Sequence, residues 1–421
     1  MTSTFAQQLI LDRDMYAADP HPFFTWLRLN QPVYCDPAGM WTLTRHDDIR
    51  TAERRPLLFS SALGSRPNGM PQQSLIDNDD PWHAAQRRLV AQGFTHRQMQ
   101  LYEAHVAEVA RRLVDDVIGV GPSSGSCDVV EAFAKPLPMT LIGEMLGASP
   151  DDYERLQHWS DQMIAGSDGP ERVTDDVIGA AFAYYEYITE VIADRRRNPR
   201  GDLVSTLVHA PLGSGTPGAG GASCAGGASG GSALLDDDHI IGNSLLLLVG
   251  GNETTRSVIA GGLHALVTHP EQMAVALGSV RSGGIGPAAV EECLRWVTPI
   301  NNMNRVTTAD VEVRGVTIPA GAQVLMSYIS ANRDEDVFDD PFRFDVSRDP
   351  NPHLAFGFGP HLCLGAQLAR LELRVILTEV LGRLPDLRLA NPNDVLTFTH
   401  SSFVRGIQSL PVTFGGWSKI R

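Results

Sequence analysis

One cysteine stands among three glycines and one histidine in FGFGPHLCLG, the stretch that covers residues 356–365. Glycines let the backbone adopt positive φ and approach another group closely, which a loop wrapped around a flat ligand requires. A helix-forming run at 366–381 follows, so Cys363 lies near a helix N-terminus, where N–H groups and the helix dipole favour a thiolate. Because a thiolate can bind a metal such as iron, Cys363 is a candidate metal ligand.

The other four cysteines, at 35, 127, 224 and 293, carry no comparable signal. They form no CxxC pair and no zinc-type spacing, and the odd total of five argues against a disulfide framework. A small buried hydrophobic residue or an inert thiol is the expected role of each.

Composition excludes several classes of protein. Hydrophobic residues make up 43% of the 421 residues and charged residues 20%, as in a soluble globular protein with a large core. The formal net charge of −15 repels polyanions, so nucleic acid is not an expected partner. Residues 1–13 lack a basic segment followed by a long apolar core, and the best apolar run, 245–249, is far shorter than a membrane span. We therefore expect a cytoplasmic protein without a membrane anchor.

The spacing of apolar residues predicts helix over most of the chain up to about residue 300. Short alternating runs at 311–316 and 323–328, separated by turn signals, predict small sheets beside this helical body. Residues 213–232 are almost entirely Gly, Ala and Ser and predict a mobile loop. Since the helix that follows looks like core, we interpret 1–421 as one domain with an insertion; a linker between two domains is the alternative.

The stretch FGFGPHLCLG matches the FGxGxHxCxG loop of the cytochrome P450 superfamily at every fixed position. The chain resembles that family from about residue 20 to 414, and only the insertion at 213–232 has no counterpart. The resemblance implies a mainly α fold with small β-sheets, in which haem b lies between a long central helix and the cysteine loop. It also implies that Cys363 is the sulfur ligand of the haem iron.

Glu292 and Arg295 stand three residues apart in EECLR, so they share one helix face and can form an ion pair. Such a pair alone is usually a solvated helix surface. Here it resembles the ExxR element of the family, and Arg343 in FDDPFRF matches the third member of that charge network. The implied role is structural.

The segment LLLLVGGNETTRSV places Gly250 and Gly251 in a hydrophobic helix, just before Glu253 and Thr254. Glycines weaken the backbone hydrogen bonding of a helix, and a threonine hydroxyl can donate to a carbonyl oxygen that has lost its backbone partner. A local distortion of the helix is therefore expected. The segment is similar to the oxygen-binding groove of the family, although Gly250 stands where alanine is usual. The resemblance makes Thr254 the residue that stabilises reduced oxygen and Glu253 its partner in proton delivery.

His83 and Arg87 lie one helical turn apart in DPWHAAQRR. A lone pair of this kind is more often a surface feature. The HxxxR spacing resembles the family's contact with a haem propionate, and Arg305 and His361 match its other propionate contacts. Together these four residues would provide the positive charge that a buried dicarboxylate requires.

A thiolate ligand favours O–O cleavage, so the resemblance implies monooxygenation with O2. The sequence contains no recognisable flavin or nicotinamide domain and no further cysteine cluster, so electrons must come from separate proteins, a ferredoxin and a ferredoxin reductase. Arg370 and Arg374 are candidates for a basic surface that binds an acidic ferredoxin; ordinary surface arginines are the alternative.

The segments IDNDDPWH, KPLPMTLIGEMLG, WVTPINNMNRV and SSFVRGIQSLPV look most like bacterial cytochromes P450 that oxidise the side chains of cholesterol and cholest-4-en-3-one. The pocket residues that the resemblance implies carry no charge, so an apolar substrate is expected. Alternatives are tailoring of a macrolide, terpene or peptide, and a haem-binding protein without turnover, against which the Glu253–Thr254 pair argues. The expected pocket residues are Ile76, Val249, Gly250, Pro299, Ile300 and Phe403.

Overall fold

The computed structural model describes residues 5–69, 71–119, 124–212 and 234–415. The insertion predicted at 213–232 lies outside these residues. The helices within the described ranges are α1 Arg13–Ala17, α2 His21–Asn30, α3 His46–Glu53, α4 Trp82–Val90, α5 His96–Gly119, α6 Pro136–Met145, α7 Tyr153–Ala165, α8 Asp175–Arg197, α9 Leu203–His209, α10 Asp237–Thr268, α11 Pro270–Arg281, α12 Pro287–Val297, α13 Tyr328–Ala331 and α14 Ala366–Arg383.

Within the described ranges, three small sheets lie beside the helices, which confirms the predicted mainly α class. One has the order β1-β2-β8-β5-β3, one the order β4-β10-β9, and one pairs β6 with β7. All pairs are antiparallel except β2 with β8. The strands are β1 Val33–Cys35, β2 Trp41–Leu43, β3 Phe59–Ser60, β4 Ser124–Asp128, β5 Asn302–Thr307, β6 Val311–Val313, β7 Val316–Ile318, β8 Gln323–Ser327, β9 Arg388–Leu389 and β10 Pro411–Gly415.

Helix α10, with 32 residues, runs through the centre of the molecule. Asp236 caps its first turn by accepting a hydrogen bond from the His239 N–H at 2.9 Å. Residues on all sides of the helix are buried, as expected for a core helix. It packs against α6, α7, α12 and α14, so side chains along its length reach several parts of the molecule.

Two hydrophobic clusters pack against the two halves of α10, around residues 240–248 and 258–266. One is built mainly from α5, α10, α12 and α14, and the other from α4 and α6 to α10. In the described part of the chain, no helix has the length and apolar character that a membrane crossing requires. A cavity lies between α10 and the loop that precedes α14.

Candidate active site

The loop 356–365 turns tightly before α14. Gly357 and Gly359 have φ of +67° and +71°, a conformation that favours glycine. A Cβ atom on Gly359 would lie 2.3 Å from the Glu53 carbonyl oxygen, so only glycine fits there. Gly365 has an ordinary φ of −81° and serves as the N-cap of α14. Two of the three glycines therefore have the backbone geometry expected of them.

Cys363 lines the cavity, and its N–H donates to the Phe356 carbonyl oxygen at 2.9 Å. Burial raises the pKa of its thiol, while the Gly365 N–H and the charges of Arg87 and Arg370 lower it. The pKa of the thiol thus lies above its ordinary value despite the helix N-terminus, and a coordinating metal ion would displace its proton outright.

The cavity has a volume of about 420 Å³ and a mostly apolar wall. Cys363, Glu253 and Thr254 line it together. The wall also holds Arg66, a charged side chain that was not among the pocket residues predicted from the sequence, all of which are uncharged. All six expected pocket residues lie on the same wall: Ile76, Val249, Gly250, Pro299, Ile300 and Phe403.

The four residues predicted to hold propionates lie near one another. The rings of His83 and His361 stack with centroids 4.1 Å apart. Burial, together with the charges of Arg305, His83 and Arg87, lowers the pKa of His361 to about 2. Arg87 donates to the Leu362 carbonyl oxygen at 2.6 Å, and this contact fixes it beside the cysteine loop.

Two buried ring nitrogens in this group, His83 Nε2 and His361 Nδ1, have no hydrogen-bond partner among the described residues. Buried polar atoms normally have partners, so both nitrogens are available to a ligand. A thiol, two unpaired imidazole nitrogens and two guanidinium groups around one apolar cavity suit a flat, iron-containing dicarboxylate. The residues present therefore fit haem.

Glu292 and Arg295 form the predicted ion pair, with no exposed surface on either side chain. Arg295 donates to both carboxylate oxygens of Glu292 at 2.7 Å. The carboxylate also accepts hydrogen bonds from the Asp345 N–H at 2.9 Å and from Asn351 Nδ2 at 3.0 Å. This network joins α12 to the segment that leads into the cysteine loop.

The third member of the network is Arg348, and the prediction of Arg343 was wrong. Arg348 Nε lies 3.3 Å from Glu292 Oε2, and its side chain is 10% exposed. The Arg343 side chain is 61% exposed and lies 3.9 Å from Asp345, and only its backbone carbonyl accepts a hydrogen bond from Arg295. The irregular backbone of this segment turns position 348 inward and position 343 outward.

The two arginines should therefore differ when each is replaced by methionine. We expect Arg348→Met to lower the free energy of unfolding by about 1–3 kcal/mol, since it removes a buried charged partner. Arg343→Met, at the exposed position, should change it by less than about 0.5 kcal/mol. Guanidinium denaturation followed by circular dichroism measures both variants. Equal losses would contradict the assignment of Arg348 to the network.

Helix α10 continues through the glycine pair without interruption. The Thr254 hydroxyl donates to the Gly250 carbonyl oxygen at 2.7 Å. This is the kind of bond to a backbone carbonyl that the sequence predicted for this threonine. Glu253 is 1% exposed and forms an ion pair with Arg256 at 2.5 Å. Arg256 also contacts Asp161 at 2.7 Å, so it links α10 to α7. Arg256 was not predictable from the sequence, because an arginine three residues after a glutamate is commonplace.

Burial raises the pKa of Glu253 to about 7, and Arg256 opposes the shift. A carboxyl group with this pKa is partly protonated near neutral pH and can exchange protons efficiently. Burial likewise raises the pKa of Glu53 to about 7 and that of Glu372 to about 8. Glu53 accepts a hydrogen bond from the Tyr328 hydroxyl at 2.5 Å and lies 3.4 Å from Arg305. Neither carboxyl group carried a recognisable signal in the sequence.

Arg370 and Arg374 do not form a free basic surface. Arg370 donates to Glu291 through two nitrogens at 2.7 and 2.9 Å. Arg374 lies 2.8 Å from Glu103. Because an acidic partner offsets each positive charge, the geometry favours the alternative of ordinary surface arginines.

Known proteins are similar to this chain along nearly its whole length. A family model described as Cytochrome P450 matches residues 287–412. The Steroid C26-monooxygenase of Mycobacterium tuberculosis (strain ATCC 25618 / H37Rv) is 39% identical over 408 residues, 96% of each chain. The Methyl-branched lipid omega-hydroxylase of the same strain is 36% identical over 403 residues, 93% of this chain and 88% of the relative. The structure of a Mycobacterium marinum cytochrome P450 in complex with pseudoionone has a TM-score of 0.84 and 33% identity and covers 96% of this chain and 97% of that chain.

Proposed function

Since the chain belongs to the cytochrome P450 family and is a monooxygenase that binds haem b, we propose that it hydroxylates the side chain of a steroid such as cholest-4-en-3-one. The observation that carries this proposal is the 39% identity to a steroid C26-monooxygenase over 96% of both chains. The mostly apolar cavity wall supports it, because burial of a rigid hydrocarbon contributes about 25 cal/mol per Å² to binding. The substrate side chain would lie toward Cys363 and Thr254.

Each site residue has a proposed role toward the cofactor or the substrate. Cys363 would hold the haem iron, while His83, Arg87, Arg305 and His361 would hold the two propionates. When bound, haem supplies the activation of O2 by two electrons. The unpaired nitrogens of the two histidines support their role, since a propionate oxygen would satisfy them.

Proton delivery is proposed for Glu253 and Thr254. Both line the cavity, and the raised pKa of Glu253, about 7, lets its carboxyl group take up and release a proton near neutral pH. The Thr254 hydroxyl donates its proton to the Gly250 carbonyl oxygen, so its oxygen can still accept a hydrogen bond. The surrounding apolar wall would exclude bulk water from both groups.

The enzyme uses separate electron-transfer partners, and we propose a ferredoxin with its reductase, in the cytoplasm. The sequence contains no flavin or nicotinamide domain that would supply electrons internally. The paired state of Arg370 and Arg374 argues that the ferredoxin contacts other residues. Cross-linking with a ferredoxin, followed by peptide mapping, identifies them.

Hydroxylation at the end of a methyl-branched lipid is the second candidate. The 36% identity to a methyl-branched lipid omega-hydroxylase favours it. Both candidates place an apolar chain end at the oxidising centre, so the overall apolar character of the cavity does not separate them. Direct binding measurements distinguish the two candidate functions.

Titration of the haem absorbance tests the proposed substrate class. Cholest-4-en-3-one, cholesterol, a methyl-branched fatty acid and a macrolide are added separately to the haem-loaded enzyme. We expect the steroids to shift the haem to high spin at micromolar concentration or below, given the apolar surface that they bury. A shift with the macrolide and none with either steroid would replace the proposal by tailoring of a secondary metabolite.

Thr254→Ala tests the proton-delivery role. Haem content and the steroid-induced shift should stay near wild type, because Thr254 is not a proposed haem ligand. The amount of hydroxylated product per pair of electrons consumed should fall about tenfold or more, and hydrogen peroxide should form instead. Thr268→Ala is the matched control, since Thr268 also bonds the carbonyl four residues back, at 2.8 Å, but does not line the cavity. Unchanged coupling in Thr254→Ala would remove Thr254 from the mechanism.

A further inference from the structure

Two polar side chains interrupt the apolar part of the cavity wall. Arg66 and Gln72 both line the cavity and come from the segment 61–77, between β3 and α4. Neither side chain has a hydrogen bond or an ion pair with any residue that the structure describes. A guanidinium group removed from bulk water without an acceptor is costly, so its presence here indicates a ligand that supplies one.

One buried carboxylate holds the backbone on both sides of the pair. Asp77 accepts hydrogen bonds from the Ser65 N–H at 2.7 Å and from the Gln72 N–H at 2.8 Å, one on each oxygen. The Ser65 carbonyl oxygen accepts from the Asn304 N–H of β5 at 2.8 Å. The backbone positions that carry the Arg66 and Gln72 side chains are therefore close together and fixed. Preorganised side chains of this kind are what a binding site requires.

The segment is also fixed against α10. The Leu75 N–H donates to Asn243 Oδ1 at 3.0 Å, and a Cβ atom on Gly242 would lie 2.2 Å from the Gln73 carbonyl oxygen. This close approach sets the position of Leu75 and of Ile76, which lines the cavity beside the polar pair. The pair consequently belongs to the substrate part of the wall.

The cations proposed to hold the propionates come from other elements than Arg66. His83 and Arg87 lie on α4, Arg305 lies on β5, and His361 lies in the cysteine loop, whereas Arg66 lies on the segment 61–77 with Gln72 and Ile76. The charge that acts on Arg66 is that of Asp77, whose oxygens already accept two backbone N–H groups. Because four other residues are already proposed to hold the propionates, a substrate oxygen is the better candidate for the partner of Arg66.

We propose that Arg66, with Gln72 beside it, binds an acceptor oxygen of the substrate, a keto or carboxylate group on an otherwise apolar molecule. This inference rests on the proposed function and deepens it. A guanidinium group has five donors and no acceptor, so it favours a ketone or a carboxylate, which only accept hydrogen bonds, over a hydroxyl group. A steroid held by its C3 oxygen leaves its side chain, the opposite end of the molecule, for oxidation.

Matched ligand pairs test the inference. Haem-loaded wild type, Arg66→Met and the control Arg97→Met, at an exposed position of α5, are titrated with cholest-4-en-3-one against cholest-4-ene and with hexadecanoic acid against hexadecane. Methionine keeps an apolar stem but donates no hydrogen bond. In wild type, we expect the oxygen-bearing member of each pair to bind about tenfold or more tightly. Arg66→Met should lose this preference, with binding of the oxygen-free members unchanged, and Arg97→Met should match wild type.

The possible results separate the two proposals. Reduced haem content in Arg66→Met, or an equal loss of affinity for both members of a pair, would overturn the oxygen site in favour of a propionate contact or a packing role. Equal binding of both members to wild type would overturn it as well, while the steroid proposal stands. If no steroid binds to wild type but hexadecanoic acid binds in an Arg66-dependent way, the oxygen site stands and the steroid proposal falls.

Discussion

Cys363→Ser is expected to lose the reduced carbon monoxide spectrum of a haem-thiolate protein and all hydroxylation activity. Serine has nearly the same shape, so the loop can keep its hydrogen bond from residue 363 to Phe356. Its hydroxyl group does not ionise near neutral pH and does not push electron density toward iron as a thiolate does. The effect should therefore be electronic, with the fold of the loop preserved. Absorbance of the reduced, carbon monoxide-bound protein measures it.

Substitutions at the other described cysteines serve as controls. Cys35 is exposed and Cys127 half-buried, and neither lines the cavity, so Cys35→Ser and Cys127→Ser should keep the spectrum. Cys293 is buried in the core beside Gly262, and burial raises its pKa to about 12, so Cys293→Ala should keep the spectrum too. Cys224 lies outside the described residues, and for it the sequence-based expectation of an inert thiol stands. A thiolate spectrum in Cys363→Ser would show that another sulfur binds the iron.

Glu292→Gln is expected to prevent accumulation of folded, haem-loaded protein. The substitution removes the negative charge that pairs with both Arg295 and Arg348. The two guanidinium groups then lack this compensating carboxylate in a buried site. Breaking a buried pair in this way typically costs about 3–5 kcal/mol, a large part of the total stability of a natural domain. The haem-to-protein ratio after purification and the unfolding midpoint measure the loss.

The neighbouring residue provides a matched control. Glu291 lies one position earlier on α12, is 25% exposed, and pairs with Arg370 and His353. Partly exposed pairs contribute about 1 kcal/mol or less, so Glu291→Gln should still yield haem-loaded protein. Similar haem content in the two variants would show that the buried network does not hold the haem-binding segment together.

Local patterns made much of this molecule predictable. The helical spacing, the short alternating runs and the fixed residues around Cys363 lie within single stretches of chain, so the sequence displays them directly. Glu292 and Arg295 were likewise predictable, because three residues on a helix bring two side chains to one face. These features need no knowledge of how distant segments meet.

The site residues that were predicted wrongly or not predicted depend on segments without regular secondary structure or on contacts between distant parts of the chain. Arg343 and Arg348 lie five residues apart in a segment without regular structure, and no periodicity indicates which one turns inward. Arg66 and Gln72 reach the cavity only because Asp77 joins the ends of their loop. Glu53 meets Tyr328 and Arg305 from a remote part of the chain. Each case depends on tertiary contacts that spacing along the chain does not reveal.

Turnover of cholest-4-en-3-one by the haem-loaded enzyme, with a ferredoxin, a reductase and NADPH, tests the proposed function most directly. The product is identified by mass spectrometry and nuclear magnetic resonance, with Cys363→Ser as the inactive control. We predict one added oxygen atom at the end of the side chain and an unchanged ring system. Hydroxylation of the rings, or no steroid product under conditions in which a methyl-branched fatty acid or a macrolide is hydroxylated, would contradict the account.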